Sequence, residues 1–372
     1  MELKPYFYLL IVLLIFSIIY NKVITHREKA IILTLNTFDK LDAKTAHGLI
    51  RGTQRFEILA VVDSKNYGVD AGEKLDGIPR NIPILASVHE AVHSFPDASV
   101  AIIGIATHGG VIPIDLEIIL IECLKNGLSL VNGLHEFLSE KPHFVDLATQ
   151  HNAYLKDVRK PKSRKDLSFW TGRVNQVSCP VIAVIGTDCA VGKRTTARLL
   201  TEALKNNGKK AEMIYTGQTG WLQGGKYGFI FDSTLNDFVS GELEDAIFNC
   251  FKNENPDFIL LEGQSALRNP SGPCGAEFFV SGKAKYAILV HAPKRFYYDD
   301  DPTWGEIHSL ASEIMLIKAY GATVIGIALN TQDCTSEEAV FFKNQYFAQF
   351  NIPVILPLEE GFDRFLPVLF NL

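Results

Sequence analysis

No two of the six cysteines have CxxC spacing. Cys123, Cys179, Cys189, Cys250, Cys274 and Cys334 are scattered through 372 residues. That argues against a disulfide framework or a cysteine-built zinc site, and reduced thiols are the simple reading. A basic surplus is also missing. Lys and Arg number 36 against 42 Asp and Glu, for a net charge of −6. Such a chain is poorly suited to sequence-independent nucleic-acid binding, so no nucleic-acid partner is expected. Charged residues at 21% and hydrophobic ones at 47% exclude a disordered or polytopic membrane protein. At roughly 150 residues per domain, the length suggests two domains.

One long apolar run is present, at the N-terminus. Residues Tyr6–Tyr20 read YFYLLIVLLIFSIIY, and Val23 and Ile24 extend them past Asn21 and Lys22. A full span takes about 20 residues. Positive charge is in excess after the run (Lys22, Arg27, Lys29), which would keep the bulk of the chain in the cytoplasm. Residues 6–24 are therefore read as a single-span anchor on the cytoplasmic face. A misassigned start codon and a cleaved signal are the alternatives, although no small-x-small cleavage site follows.

From Lys29 to about Leu155, strand-like runs alternate with helical patterns. Ala30–Leu35, Glu57–Ser64, Val100–Ala106 and Leu128–Gly133 are short apolar runs, and Pro113–Gly127 is amphipathic. This alternation predicts a parallel sheet with right-handed crossovers, Rossmann-like in outline. Asp63 ends the second strand, where a ribose-binding acid would stand. The fingerprint G-x-G-x-x-G is absent, however. Asn36-Thr37-Phe38-Asp39 follows the first strand without a glycine, so bound NAD is not expected. His108 and His135 lie after strands and could face a ligand; a structural role is the simpler reading. Residues 157–167 are basic and polar, and read as an interdomain connection. The expected divisions are 1–28 leader, 29–155 first domain, 156–178 linker and 179–372 second domain.

The second domain opens with the buried run Pro180–Gly186, then GTDCAVGKRTT (Gly186–Thr196), then a helical stripe. Strand, glycine-rich turn ending in Gly-Lys, and helix together are the context of a phosphate-binding loop. Its N–H groups would form an anion nest, the helix N-terminus would add partial positive charge, and Lys193 a full one. Gly186, Thr187, Asp188, Gly192, Lys193, Arg194, Thr195 and Thr196 are the candidate cofactor-binding residues. The usual Mg²⁺ ligand, Ser or Thr after the lysine, is missing. Arg194 stands there. γ-Phosphate cleavage relies on that ion, whereas holding the pyrophosphate of coenzyme A does not. Arg194 could face the phosphates or point outward. No metal ligand set is read from the sequence.

Strand runs at Lys210–Gly217, Asp257–Gly263, Ala284–Pro293, Ala322–Asn330 and Ile352–Leu358 complete a doubly wound sheet. DFILLEG resembles a Walker B strand with Glu262 at its carboxyl end. GQTGW (Gly217–Trp221) places Gln218 and Thr219 as substrate-binding candidates. Arg268, in the turn-rich RNPSGPCG, is either a carboxylate clamp or a surface ion pair. Asp232 and His291 join Glu262 as candidates for proton transfer.

GTDCAVGKRTT, YTGQTGW, FDSTLNDFVSGELE and LLEGQSALRNPSGPCG, with the upstream LNTFDKLDAKTAHGLIRG, IGIATHGGVIP and VNGLHEFLSE, resemble the motifs of a bacterial and archaeal two-domain family. That family joins an N-terminal Rossmann-like domain to a C-terminal P-loop domain. It has long been catalogued as of unknown function, or loosely as NAD-dependent epimerases or dehydratases, and members are described as D-glutamate N-acetyltransferases. The resemblance covers about Lys29 to Leu372. It implies acetyl transfer from acetyl-CoA, as co-substrate, to the amino group of a small acidic amino acid, D-glutamate. A homo-oligomer is expected. The P-loop half is also similar to dethiobiotin synthetase, which implies an ATP- and Mg²⁺-dependent kinase or ligase as the alternative. A non-catalytic nucleotide-binding protein is a further alternative.

Overall fold

The computed structural model describes residues 27–372. The expected anchor at residues 6–24 lies outside the described residues. Among those described, no helix is long and apolar enough to cross a membrane. The chain divides into two compact units between Asp157 and Val158.

The first unit carries six strands: β1 (Glu28–Leu33), β2 (Phe56–Val62), β3 (Ile84–Leu85), β4 (Val100–Ile103), β5 (Ser129–Asn132) and β6 (Leu155–Asp157). They form one sheet in the order β3-β2-β1-β4-β5-β6, with every pair parallel. This is the Rossmann strand order, as the alternation of runs and helices predicted. β6 pairs with β5, so the sheet reaches Asp157, within the stretch read as a connection.

The second unit holds β7 (Val181–Gly186), β8 (Ala211–Tyr215), β9 (Tyr227–Gly228), β10 (Phe258–Glu262), β11 (Tyr286–His291), β12 (Thr323–Leu329) and β13 (Val354–Ile355). The order is β13-β12-β11-β7-β10-β8-β9, again all parallel. β7 is buried throughout, because helices cover both faces of the sheet. Val181, Ala183 and Ile185 pack into one apolar cluster, and Ile182 and Val184 into the other. That is the period of two expected of a strand. Each fully buried Ile or Leu contributes about 1.5–3 kcal/mol. The strand order reverses at β7, which has β10 on one side and β11 on the other. In open α/β sheets ligands bind beyond the carboxyl ends of the strands at such a switch point.

The basic segment after β6 is held to the second unit by two acids on one helix, Asn236–Glu254. Glu242 is 3% exposed; it accepts the Ser168 N–H at 2.7 Å and pairs with Lys162 at 2.7 Å. Glu244 is fully buried and accepts the Thr171 N–H (2.6 Å), the Thr171 hydroxyl (2.9 Å) and the Val174 N–H (3.2 Å). Burial alone would raise its pKa, but these donors outweigh burial and hold it below the usual carboxylate value.

Candidate phosphate-loop site

The loop between β7 and the helix Lys193–Asn206 is shaped by backbone constraints. Gly192 sits at φ +102° as the residue before the helix, a conformation that costs a glycine little and other residues much. The helix is amphipathic, burying Thr196, Ala197, Leu200 and Leu204. Lys193 opens it and is 7% exposed. Its Nζ donates to the Asp188 carbonyl at 2.6 Å. Burial pushes the ammonium below the usual lysine pKa, while the surrounding Cys189, Asp188, Cys274 and Glu262 oppose this. A cation this buried gains from a bound anion.

Asp188 is fully buried. Its Oδ1 accepts from Asn269 Nδ2 at 2.9 Å. Its Oδ2 accepts from Arg295 Nη1 (3.1 Å) and from the Asp299 N–H (2.9 Å). Arg295 Nη1 also donates to the Cys189 carbonyl at 2.7 Å. Arg295 and Asn269 therefore set the loop's shape from neighbouring elements. Sequence reasoning missed both. The available signal was position: each follows the carboxyl end of a strand that flanks β7.

β10 places Glu262 beside β7, opposite Val184. Glu262 is 3% exposed, and its Oε2 accepts the Thr216 N–H at 3.0 Å. The Thr216 hydroxyl in turn donates to the Glu262 carbonyl oxygen at 2.7 Å. Burial raises the Glu262 pKa; the Arg194 charge, the Thr216 N–H and Lys193 pull it back. The Arg194 charge is thus near enough to Glu262 to favour its ionised form. Gln218 and Thr219, both buried, begin the short helix Gln218–Leu222. Gly220 in that helix lets Glu262 approach: an added Cβ would stand 2.8 Å from Oε2 and 2.4 Å from Tyr215 Cβ.

On the other side, β11 ends at His291. Its Nδ1 lies 3.0 Å from the Thr187 hydroxyl and its Nε2 3.4 Å from the Tyr346 hydroxyl. Burial lowers its pKa to about 4, so the ring is neutral at pH 7 and keeps one nitrogen lone pair. Gly186 through Thr196 are thus flanked by Glu262 and His291 on the two strands that neighbour β7.

Two other candidates have different partners. Asp232 lies on a 3₁₀ turn, 40% exposed, and takes Arg159 as a two-pronged partner: Nη2 at 2.9 Å and Nε at 3.1 Å from Oδ2. Arg268 donates from Nε to buried Glu313 at 2.9 Å. Its Nη2 lies 2.8 Å from the same oxygen without a hydrogen bond's alignment. The carboxylate that Arg268 holds is therefore one of the chain's own.

In the first unit, Asp63 is 1% exposed and its carboxylate is fully engaged. Oδ2 accepts from the Thr34 hydroxyl (2.8 Å) and the Phe38 N–H (2.9 Å), and Oδ1 from Asn66 N and Nδ2, both at 3.0 Å. This is a structural carboxylate that ties down the turn after β1. His135 is exposed, and its ring stands against Gly110, where a Cβ would lie 2.5 Å from it.

Comparison with known proteins places the chain in a family. A D-glutamate N-acetyltransferase of Tritonibacter scottomollicae is 29% identical over 278 residues, covering 73% of this chain and 81% of that protein. A second, from a Pseudoalteromonas species, is 29% identical over 277 residues, covering 72% and 80%. The crystal structure of a DUF1611 family protein from Anabaena variabilis superposes with a TM-score of 0.84 at 29% identity, over 93% of this chain and all of that one. The family's P-loop domain, described as a domain of unknown function, matches residues 168–366, and its Rossmann-like domain matches residues 64–161. With a Rossmann-ordered sheet, a phosphate loop and both domain matches, the chain belongs to the DUF1611 family.

Proposed function

We propose that the protein transfers the acetyl group of acetyl-CoA to the amino group of D-glutamate, and that the phosphate loop holds the coenzyme's pyrophosphate. The observation that carries this reading is Arg194, placed where a Mg²⁺-dependent loop has its Ser or Thr, with its charge acting on Glu262. An arginine there neutralises phosphate charge without a metal ion. The names of the two relatives at 29% identity supply the acceptor and the acyl group.

In this reading Lys193, Thr195, Thr196 and the loop N–H groups bind the phosphates. The substrate ammonium loses a proton, and its nitrogen attacks the thioester carbonyl. The C–S bond breaks, coenzyme A leaves as the thiol, and the amide remains. Glu262, made a stronger base by burial, is the first candidate at the loop to accept the proton; His291, neutral and with a lone pair but made a weaker base by burial, is the second.

One observation favours an ATP- and Mg²⁺-dependent reading. Asp188, Cys189 and Asp299 present ligand atoms within 4.8 Å of one another. Against it, both Asp188 oxygens already accept hydrogen bonds, one from the Arg295 guanidinium. The test is thiol release by the full chain from acetyl-CoA with D- or L-glutamate, beside reactions given ATP and Mg²⁺. Thiol release that needs D-glutamate and no ATP is expected. Glutamate-dependent ATP loss without thiol release would overturn the proposal.

A further inference from the structure

A cavity of about 400 Å³ opens beside the phosphate loop, at the carboxyl end of β11. No residue predicted from sequence lines it except His291. Arg295 forms part of its wall and is only 10% exposed. Its Nη1 is used by Asp188 and the Cys189 carbonyl. Among the described residues no partner engages its other guanidinium donors. A guanidinium nine-tenths buried with donors left over is a strong site for a carboxylate.

A second feature points the same way. The helix Leu310–Ala319 starts at this cavity, with Ser309, Leu310 and Ala311 in its wall. The Ser309 hydroxyl caps the Ser312 N–H at 3.4 Å. The first N–H groups, of Leu310 and Ala311, have no acceptor within their own helix. They and the helix dipole favour an anion. The exposed His308 adds a third donor on this wall, and Glu306 is the one acid that lines the cavity.

We propose that this cavity is the acceptor subsite, and that it takes a compact dicarboxylic amino acid. Arg295 and the Leu310–Ala311 N–H groups hold one carboxylate. His308 faces the other, Glu306 attracts the ammonium, and the aromatic wall covers the carbon stem. The subsite adjoins the phosphate loop through two direct contacts, His291 to Thr187 and Arg295 to Asp188. An acceptor placed there lies beside a donor whose phosphates occupy the loop. The proposal rests on the acetyl-transfer reading for the identity of the acid. It differs from the sequence expectation in placing Arg295, which lines the cavity, rather than Arg268 as the carboxylate clamp.

The test is calorimetric titration of the full chain with D-glutamate and, separately, with acetyl-CoA. Ala311→Trp is the first variant. Ala311 is exposed on the helix surface, so the indole fills the cavity without disturbing the core. Arg295→Lys is the second: it keeps a cation near Asp188 but loses the planar fork. Ala311→Trp is expected to weaken D-glutamate binding at least tenfold and to change acetyl-CoA binding less than twofold. Arg295→Lys is expected to weaken D-glutamate about tenfold. Weakened acetyl-CoA binding with D-glutamate unaffected would assign the cavity to the donor and overturn the proposal. So would unchanged D-glutamate binding in both variants, or no D-glutamate binding by the unaltered chain. D-glutamate binding that is lost in Ala311→Trp, with no thiol release by the unaltered chain, would instead overturn the acetyl-transfer reading and support the subsite.

Discussion

Lys193 and His291 are buried titratable groups with opposite consequences. The Lys193 ammonium sits in a nest that leaves it few protein partners beyond the Asp188 carbonyl. A hydrogen bond to a charged group contributes about 1.5–3 kcal/mol. Lys193→Ala is therefore expected to weaken acetyl-CoA binding by about 10- to 150-fold while leaving the fold intact, as read by calorimetry and far-ultraviolet dichroism. His291 is held neutral by burial, with its pKa lowered from 6.5 to about 4. The unfolded chain binds the proton more readily than the folded one. The stability associated with neutral His291 is thus fully present above about pH 6.5 and falls as the pH drops toward 4. The loss is about 3 kcal/mol by linkage. Trp170, Trp221 and Trp304 all lie in the second unit, so tryptophan fluorescence follows that unit's unfolding by itself. Urea unfolding at pH 7 and pH 4.5 should show a larger loss for the natural chain than for His291→Asn. Equal losses would mean that the ring is not buried neutral.

At the scale of elements, the helix Asn236–Glu254 clamps the segment after β6 through Glu242 and Glu244. Glu244→Ala leaves the Thr171 and Val174 N–H groups without their acceptor. Val174 is buried while Thr171 is exposed, so at about 1–3 kcal/mol for a buried unpaired group the second unit should lose roughly 1–3 kcal/mol. Residues 160–172 should become a site of limited proteolysis. Unchanged protection of that segment would contradict the clamp.

This element scale also separates what the sequence could reveal from what it could not. The β7–loop–helix unit was legible because its signal is local: an apolar run, a Gly-Lys turn and a helical stripe are contiguous. Glu262 was legible because it ends an unbroken apolar run. Arg295 was not, since its role depends on β11 lying beside β7, a pairing set by topology. Arg268 and Asp232 were recognised as charged residues in promising loops, but their partners Glu313 and Arg159 stand 45 and 73 positions away. A two-residue strand such as β3 or β9 has too few residues for a period to show. In the first unit, where the glycine fingerprint is missing after β1, Phe38 is buried and Asp63 accepts its N–H.

For the whole molecule, the family's two domains have different chemistry to offer. The acid that ends β2 is engaged by its own chain, whereas the acid and histidine flanking β7 stand beside the phosphate loop. The central question is whether that loop serves a metal-free pyrophosphate. The most direct measurement is calorimetric titration of acetyl-CoA into the full chain in the presence of EDTA, repeated with Mg²⁺ and with ATP as the alternative ligand. We expect acetyl-CoA to bind equally well with and without the metal, and ATP to bind weakly in both. Tight ATP binding that appears only with Mg²⁺, with no acetyl-CoA binding in either condition, would contradict the assignment of the loop.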